Sequence, residues 1–425
     1  MNHSSTPTTQ DSLTENAQNQ HIAIVGGGMV GLSLALMLAK QLPESCAISL
    51  IEKIAFPSSD THHSSHNALQ QPSFDARSTA ISAGSAELLK AINVWPSLAA
   101  ETEAINTIHI SDRGHYANTR IHADDYSVDA LGYVVENRHL GRALLQQLPD
   151  TRVSMIAPAS VECCKIKADH VELTVASDTQ KTSPCVHASL LVVADGADSL
   201  LCQSLGIAAK KTAYQQSAII ANVALKQVHK GVAYERFTEQ GPLALLPLSD
   251  CDGQHRAAIV WTRNSDVAES LCQASDTDFM AQLQNTMGYR AGQITQVGSR
   301  YHYPLTLIEA EEQIRSRIVV MGNAAHFLHP VAGQGFNLSL RDCAVLAKTL
   351  ADNHQESVGD LSLLNRYQTC REKDQQLTIA LTDSLVKAFS STTLSHSVFR
   401  QCGLLSLQAI PMAKNQLAQQ MMGLA

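Results

Sequence analysis

The sequence predicts an α/β fold in which a Rossmann-like parallel sheet is interrupted by an inserted, mainly antiparallel sheet and followed by a helical C-terminal region. A glycine-rich turn, Gly26-x-Gly28-x-x-Gly31, lies between the strand-like run "HIAIV" and an apolar helical run. Two further buried-strand patterns, "ASLLVVADGAD" and "SRIVVMGNAAH", occur far along the chain and end in turns of their own. Around Ile105 to Tyr126 and Tyr214 to Thr262 the hydrophobic period drops towards two, as in "AIIANVAL" and "RAAIVWT", which marks antiparallel strands.

The bulk properties agree with this fold and narrow the function. At 425 residues the chain exceeds what one core usually supports, so two domains, consecutive or intertwined, are expected. The net charge of -8, a pI near 6.1 and the lack of any lysine or arginine block give no attraction to a phosphate backbone, so no nucleic-acid partner is expected. Ten scattered cysteines, with a vicinal pair Cys163-Cys164 but no CxxC, read as reduced thiols of a cytoplasmic protein. The uncharged run at 22–39 approaches the length of a membrane span. Three successive glycines break it, no basic segment precedes it and no cleavage site follows, so it reads as strand, turn and helix.

In chain order, residues 1–20 are polar and read as a disordered tail. "HIAIV" is a strand, Gly26 to Gly28 a turn, Met29 to about Gln41 a helix, and Ala47 to Glu52 a second buried strand. A Ser-, His- and Pro-rich loop follows; its His62, His63 and His66 have no supporting cysteine or carboxylate cluster and read as a surface insertion. Asp75 to Trp95 reads as a helix with its N-terminal loop, and a further helix is expected from about Phe336. No internal repeat is visible.

Each position of the first motif has a physical task. Gly26 permits the tight turn, Gly28 lets backbone approach a pyrophosphate, and Gly31 lets helix pack on strand. The helix start, with Met29 and Val30, offers free N–H groups and a positive dipole end to the anion. Glu52, 21 residues after Gly31, suits ribose hydroxyls and repels a 2′-phosphate. This motif does not separate FAD from NAD. Asp195-Gly196 after the second strand could be an ordinary turn. His326 and His329 in "GNAAHFLHPVAGQGFNLSLRD" are spaced like metal ligands, but no third ligand accompanies them and no metal is expected.

The three motifs, in this order, resemble the FAD-dependent aromatic-ring hydroxylases of the p-hydroxybenzoate hydroxylase fold, from about His21 to the C-terminus. Through "DARSTAIS", "GYVVEN", "AYERFTEQGPLALLPLSD" and "GNAAHFLHPVAGQGFNLSLRD" the chain is most similar to the ubiquinone-biosynthesis branch, nearest to members acting on 2-polyprenyl-6-methoxyphenol. Two positions depart from the wider family. Its Asp in the third motif is Asn323 here, and the basic residue closing its Asp-Gly motif is Cys202, which puts pyridine-nucleotide contact there in doubt.

The resemblance implies an FAD-binding domain made of residues 21–103, 130–208 and 302–350, a substrate domain of 104–129 and 209–301, and a helical region of 351–425. It implies that Gly26, Gly28, Met29, Val30, Gly31 and Glu52 hold the ADP half of FAD, with Arg77 along the cofactor and Asn137 or Arg138 at its middle. Asp195 and Gly196 would touch both FAD and NAD(P)H, and Asn323 the ribityl or pyrophosphate region. Gly333, Gln334 and Gly335, followed by Phe336 and Asn337, would set backbone N–H groups against the flavin, with Pro330 at the ring edge. Leu243, Leu245 and Pro247 would wall an apolar substrate pocket, unless that strand is simply core.

The implied reaction uses NAD(P)H and O2, through a flavin C4a-hydroperoxide, to convert 2-polyprenyl-6-methoxyphenol into the 1,4-benzoquinol. No catalytic base stands out. Alternatives are a sister hydroxylase acting at another carbon or on a soluble phenol, a non-catalytic FAD-binding subunit of a ubiquinone-biosynthesis complex, and a non-flavin NAD dehydrogenase. The Leu- and Met-rich C-terminus suggests docking on the FAD domain, or admission of a polyprenyl tail and peripheral contact with the inner membrane face or a partner enzyme of the pathway.

Overall fold

The structure, a computed structural model, describes residues 20–57, 77–114, 118–177, 185–330, 333–390 and 411–424. The expected tail apart from Gln20, the histidines His62, His63 and His66, and the C-terminal stretch 396–410 lie outside the described residues.

A six-stranded sheet runs in the order Ile314–Arg315, Ile318–Val320, Leu190–Val193, His21–Val25, Ala47–Ile51, Val153–Ile156. All its pairs are parallel except the first, and its strands come from three separated stretches of chain. Continuous apolar runs suit these strands because both faces are covered. On one face, helices Met29–Gln41, Asn137–Gln147 and Gln334–Asp352 enclose Ile22, Ile24, Leu50, Val192 and Val319. On the other, Ala23, Val25, Leu191 and Val193 meet Val171, Leu173 and Val175 of a three-stranded antiparallel sheet.

The inserted sheet has nine strands. Its path runs from His326–Phe327 through Tyr301–Ala310, Ala209–Leu225, Gln254–Asn264, Leu243–Cys251, Val232–Phe237 and Thr107–Asp112 to Asn118–His122, with Ile294–Val297 pairing beside Ala209–Leu225. It therefore extends past the expected boundary at residue 301, because Tyr301–Ala310 pairs antiparallel with Ala209–Leu225 rather than returning to the parallel sheet. Helices Ser265–Gln273 and Asp276–Met287 cover its outer face around Trp261 and Phe279. Its inner face turns towards the nucleotide-binding unit.

The stretch expected as loop and helix after Asp75 contains a strand. Ser78–Ser82 pairs with Gly132–Glu136, and the helix starts only at Ala83, where the Ser82 hydroxyl accepts the Ser85 N–H at 3.3 Å. Helix Leu361–Ser390 packs on Gln334–Asp352, and helix Pro411–Met422 inserts Ala418 and Met422 among Ala83, Val134, Ala233 and Leu248. Among the described residues, no helix is long and apolar enough to cross a membrane.

Candidate active site between the sheet ends and the inserted domain

Three turns meet at the carboxyl ends of three adjacent parallel strands, where open α/β sheets bind nucleotides. Gly26 ends His21–Val25 at φ +112°, and a Cβ there would lie 2.3 Å from the Ala194 carbonyl oxygen. Close contact between the first and second turns therefore requires glycine. Gly28 is the extended residue before helix Met29–Gln41, so the first amides of the helix, including those of Met29 and Val30, open onto the same end of the sheet. A Cβ on Gly31 would sit 1.9 Å from the Gly26 carbonyl oxygen, which confirms its packing role. The third turn begins at Gly322, φ +66°, against Val30, and leaves Asn323 exposed.

Glu52 is committed in part to its own loop: its carboxylate accepts the Gly27 N–H at 2.6 Å and the Ile54 N–H at 2.9 Å. Asp195 lies at the surface yet is closely hemmed by protein. Desolvation raises its pKa, Ser199 and backbone hydrogen bonds oppose the shift, and Glu52 adds to it. A Cβ on Gly196 would meet nothing within 4 Å, so this glycine borders open space rather than packing. Cys202 is buried with Leu201 and Ile207, below the helix start that Ser199 caps. A basic side chain at that position would have to leave this core, so the departure from the family pattern suits the local packing.

The other end of the site is the start of helix Gln334–Asp352. Gly333 takes φ +61° and lies against Ala80, while a Cβ on Gly335 would meet nothing within 4 Å. Pro330 receives the Gly333 N–H at 3.0 Å and is partly exposed. Gln334 is buried and donates to the Met421 carbonyl at 3.2 Å, and Phe336 packs on the main core. The Asn337 side chain is occupied by protein: it accepts the Ser82 N–H at 2.9 Å and donates to the Ala80 and Gly333 carbonyls at 2.8 and 2.7 Å. Any contact of Asn337 with a cofactor is left to its backbone.

Arg77 stacks over Tyr303 with its guanidinium 4.8 Å from the ring centre, and its carbonyl accepts the Asn137 N–H at 2.7 Å. Asn137 is buried and accepts the Thr79 hydroxyl at 2.7 Å, while Arg138 pairs with Glu136 at 2.7 Å. Glu136 was not singled out by the motifs. It joins the two domains, accepting Asn222 Nδ2 at 2.9 Å and facing Arg256 Nη1 at 3.4 Å, both on the inner face of the inserted sheet. Burial would raise its pKa, but His139, Arg138 and Arg256 outweigh this and lower it to about 2.

Leu243 and Leu245 do not wall a pocket. Both are fully buried with Trp261, Phe279 and Leu283 under the outer helices, and Pro247 alternates onto the same face. Strand alternation sends the residues between them, Ala244 and Leu246, to the inner face instead. The histidines of the third motif take separate partners. His326 is fully buried with Nε2 2.7 Å from Asp342, and His329 packs edge-on against Tyr214 with its pKa lowered to about 4 by desolvation. Among the described residues, the histidine and carboxylate group close enough to share an ion is His170, Glu172 and His187 on the three-stranded sheet, where Lys167 already lies 3.5 Å from Glu172.

Residues 19–381 match the model of a family described as FAD binding domain. The chain belongs to this FAD-binding monooxygenase family. It is 33% identical over 410 residues to a ubiquinone hydroxylase of Rhodospirillum rubrum, covering 95% of this chain and 89% of the relative. It is 31% identical over 419 residues to the 3-demethoxyubiquinol 3-hydroxylase of Escherichia coli, covering 96% and 99%. The fold is shared with p-nitrophenol 4-monooxygenase of Pseudomonas putida at a TM-score of 0.73 and 16% identity, over 95% of this chain and 98% of that one. As an aromatic-ring monooxygenase of this family, the protein uses FAD with NAD(P)H as electron donor. The cradle has room for the cofactor: Gly196 and Gly335 open onto free space, while Gly26 and Gly31 close the turn behind it.

The residues that join the domains lie far apart in sequence, and only sheet register identifies them. Alternation within "VAYERF" places Glu235 on one face with Ala233 and Phe237, a signal present in the sequence but without direction until the sheet is formed.

Proposed function

We propose that the protein hydroxylates the ring of a polyprenylated phenol in ubiquinone biosynthesis, converting 2-polyprenyl-6-methoxyphenol into the corresponding 1,4-benzoquinol. The observation that carries this is the character of the inner sheet face. Ala218, Ile220, Val260, Ala258, Ala244 and Leu246 alternate onto it, and its arginine is already engaged, Arg256 facing Glu136. Such a face suits a neutral ring with an alkyl tail better than an acidic soluble phenol, which needs an available cation.

Bound FAD, reduced by NAD(P)H, would activate O2 for transfer of one oxygen atom to the ring. The chain's own part is to bind and orient. The turns at Gly26, Asp195-Gly196 and Gly322-Asn323 would hold the phosphate and ribityl regions. Amides at the start of helix Gln334–Asp352 would stabilise negative charge on the flavin ring edge. The inner sheet face, with helix Pro411–Met422 packed beside it, would exclude water from the reacting ring.

Incubating the FAD-loaded protein with NADH or NADPH, 18O2 and short-chain 2-prenyl-6-methoxyphenols tests this by mass spectrometry. Label at the carbon para to the hydroxyl is expected. Label at another carbon favours a sister hydroxylase, a reading supported by the similarity to the Escherichia coli 3-hydroxylase. A flavin that neither nucleotide reduces with any phenol present indicates a non-catalytic subunit.

A further inference from the structure

The inner face of the inserted sheet contains one carboxylate that the packing does not explain. Glu235 lies opposite Ala244 on one neighbouring strand and Ile110 on the other, and shares its face with Ala233 and Phe237. Ala233 packs with Leu248, Ala258, Val134 and Met422, whereas Tyr234, one residue along, meets the outer helices. Glu235 is thereby aimed at the space between the inserted sheet, the nucleotide-binding unit and the C-terminal helix. It is partly exposed, and among the described residues it makes no hydrogen bond or ion pair.

The charged groups around this space have other partners. On the same face Asp112, opposite Phe237, attracts Arg236, and Arg256 pairs with Glu136; the C-terminal helix contributes Lys414, 3.5 Å from Asp125, and Arg77 stacks on Tyr303. None of them perturbs Glu235, whose pKa is raised to about 7 by desolvation alone. A carboxylate left among alkyl groups is costly unless something hydrogen-bonds to it. A prenyl tail has nothing to offer, and the hydroxyl is the strongest donor on a prenylated phenol.

We propose, on the substrate reading given above, that Glu235 receives the substrate's phenolic hydroxyl and takes its proton as the ring is oxidised. The O–H bond breaks, the proton moves to a Glu235 carboxylate oxygen, and the electron pair left on the phenol oxygen feeds the para carbon as the new C–O bond forms. The incoming oxygen atom derives from O2, and NAD(P)H supplies the electrons that convert the other oxygen atom to water. The proton lost from the para carbon passes to solvent, and Glu235 returns its proton to the original phenol oxygen as the aromatic quinol is restored. Anchoring the hydroxyl at Glu235 also presents the opposite edge of the ring for attack, which couples binding to the position hydroxylated.

The test uses the oxidised, FAD-loaded full chain without NAD(P)H, so that binding is read from perturbation of the flavin spectrum and not from turnover. A short-chain 2-prenyl-6-methoxyphenol and its O-methyl ether are titrated from about pH 6 to about pH 8.5. Wild type is expected to bind the phenol about tenfold more tightly at the upper end than at the lower, and about tenfold more tightly than the ether once Glu235 is ionised. Glu235→Gln, nearly isosteric, is expected to lose the pH dependence, and Glu235→Leu to lose the preference for phenol over ether. Wild-type affinities that are independent of pH and equal for the two ligands overturn the proposal without recourse to any variant. So does equal, pH-dependent binding by wild type and variants, which leaves the substrate reading standing. If the phenol perturbs the spectrum of no form while FAD stays bound, both the substrate reading and the role of Glu235 fall.

Discussion

His326 Nε2 lies 2.7 Å from Asp342 Oδ2 inside the protein, with both side chains at or near zero exposure. Arg371 and Gln375, from helix Leu361–Ser390, donate to the other carboxylate oxygen, so Asp342 ties a two-residue strand and two long helices together. Asp342→Ala would take from the buried Arg371 one of its two carboxylates, leaving Asp374, and from His326 its partner, and a loss of about 3 kcal/mol is expected, read as a fall in the urea midpoint. Burial would raise the Asp342 pKa, but His326 and Arg371 outweigh this and hold it below 3.8. Its stabilisation is therefore complete above the unfolded carboxylate pKa and disappears as pH falls through the lower folded value.

The glycines of the nucleotide cradle divide into two kinds, and substitution should separate them. Gly31→Ala drives a Cβ to 1.9 Å from the Gly26 carbonyl oxygen, so the turn must deform and both melting temperature and FAD content should drop. Gly335→Ala meets nothing within 4 Å. The apo-protein should melt within about 2 °C of wild type while FAD affinity falls about tenfold or more, measured by flavin fluorescence quenching.

Glu136 should report on the coupling between domains. Its lowered pKa of about 2, against an ordinary 4.5, means that its stabilisation is present above pH 4.5 and disappears as pH falls towards 2. Glu136→Gln keeps the contact with Asn222 but leaves Arg256 without its anion. A loss on the order of 2 kcal/mol is expected at pH 7 and little difference near pH 2, as followed by thermal melting across pH.

Met422 buries the end of the C-terminal helix against Ala83, Val134, Ala233 and Leu248. Met422→Ala should cost about 2–4 kcal/mol in chemical denaturation. Removing residues 411–425 should expose this cluster, destabilise the protein and raise its binding of a hydrophobic dye. A truncated protein as stable as the full chain would show that this docking contributes little.

Glu235 should make the protein more stable in acid than near-neutral pH reasoning suggests for an ordinary carboxylate. A folded pKa of about 7 above an ordinary 4.5 lowers stability progressively as pH rises between these values. Glu235→Gln should therefore raise the melting temperature at pH about 8 and leave it nearly unchanged at pH about 4. A melting temperature unchanged at both pH values would show that the carboxylate is not desolvated.

Local chemistry was enough to identify much of the protein. Strand His21–Val25, helix Met29–Gln41 and the glycine turn between them follow from apolar period and from the backbone freedom of glycine, both set within a few residues. The same information assigned the chain to flavin chemistry through its motifs and picked out three turns that meet at one end of the parallel sheet. Direction across a sheet was not local. Period two in "PLALLPL" says that Leu243 and Leu246 face opposite ways, but only pairing with Gln254–Asn264 and the outer helices decides that Leu243 is core and Leu246 faces the other domain. Asn337 lay in a flavin-contact motif, yet its amide clamps Ser82 and Ala80, more than 250 residues away in sequence. His326 had the spacing of a ligand and became the partner of Asp342. Hydrogen bonds and desolvation depend on which distant groups arrive at a side chain, so the surroundings of Glu136, Asp342 and Glu235 were decided by tertiary structure alone.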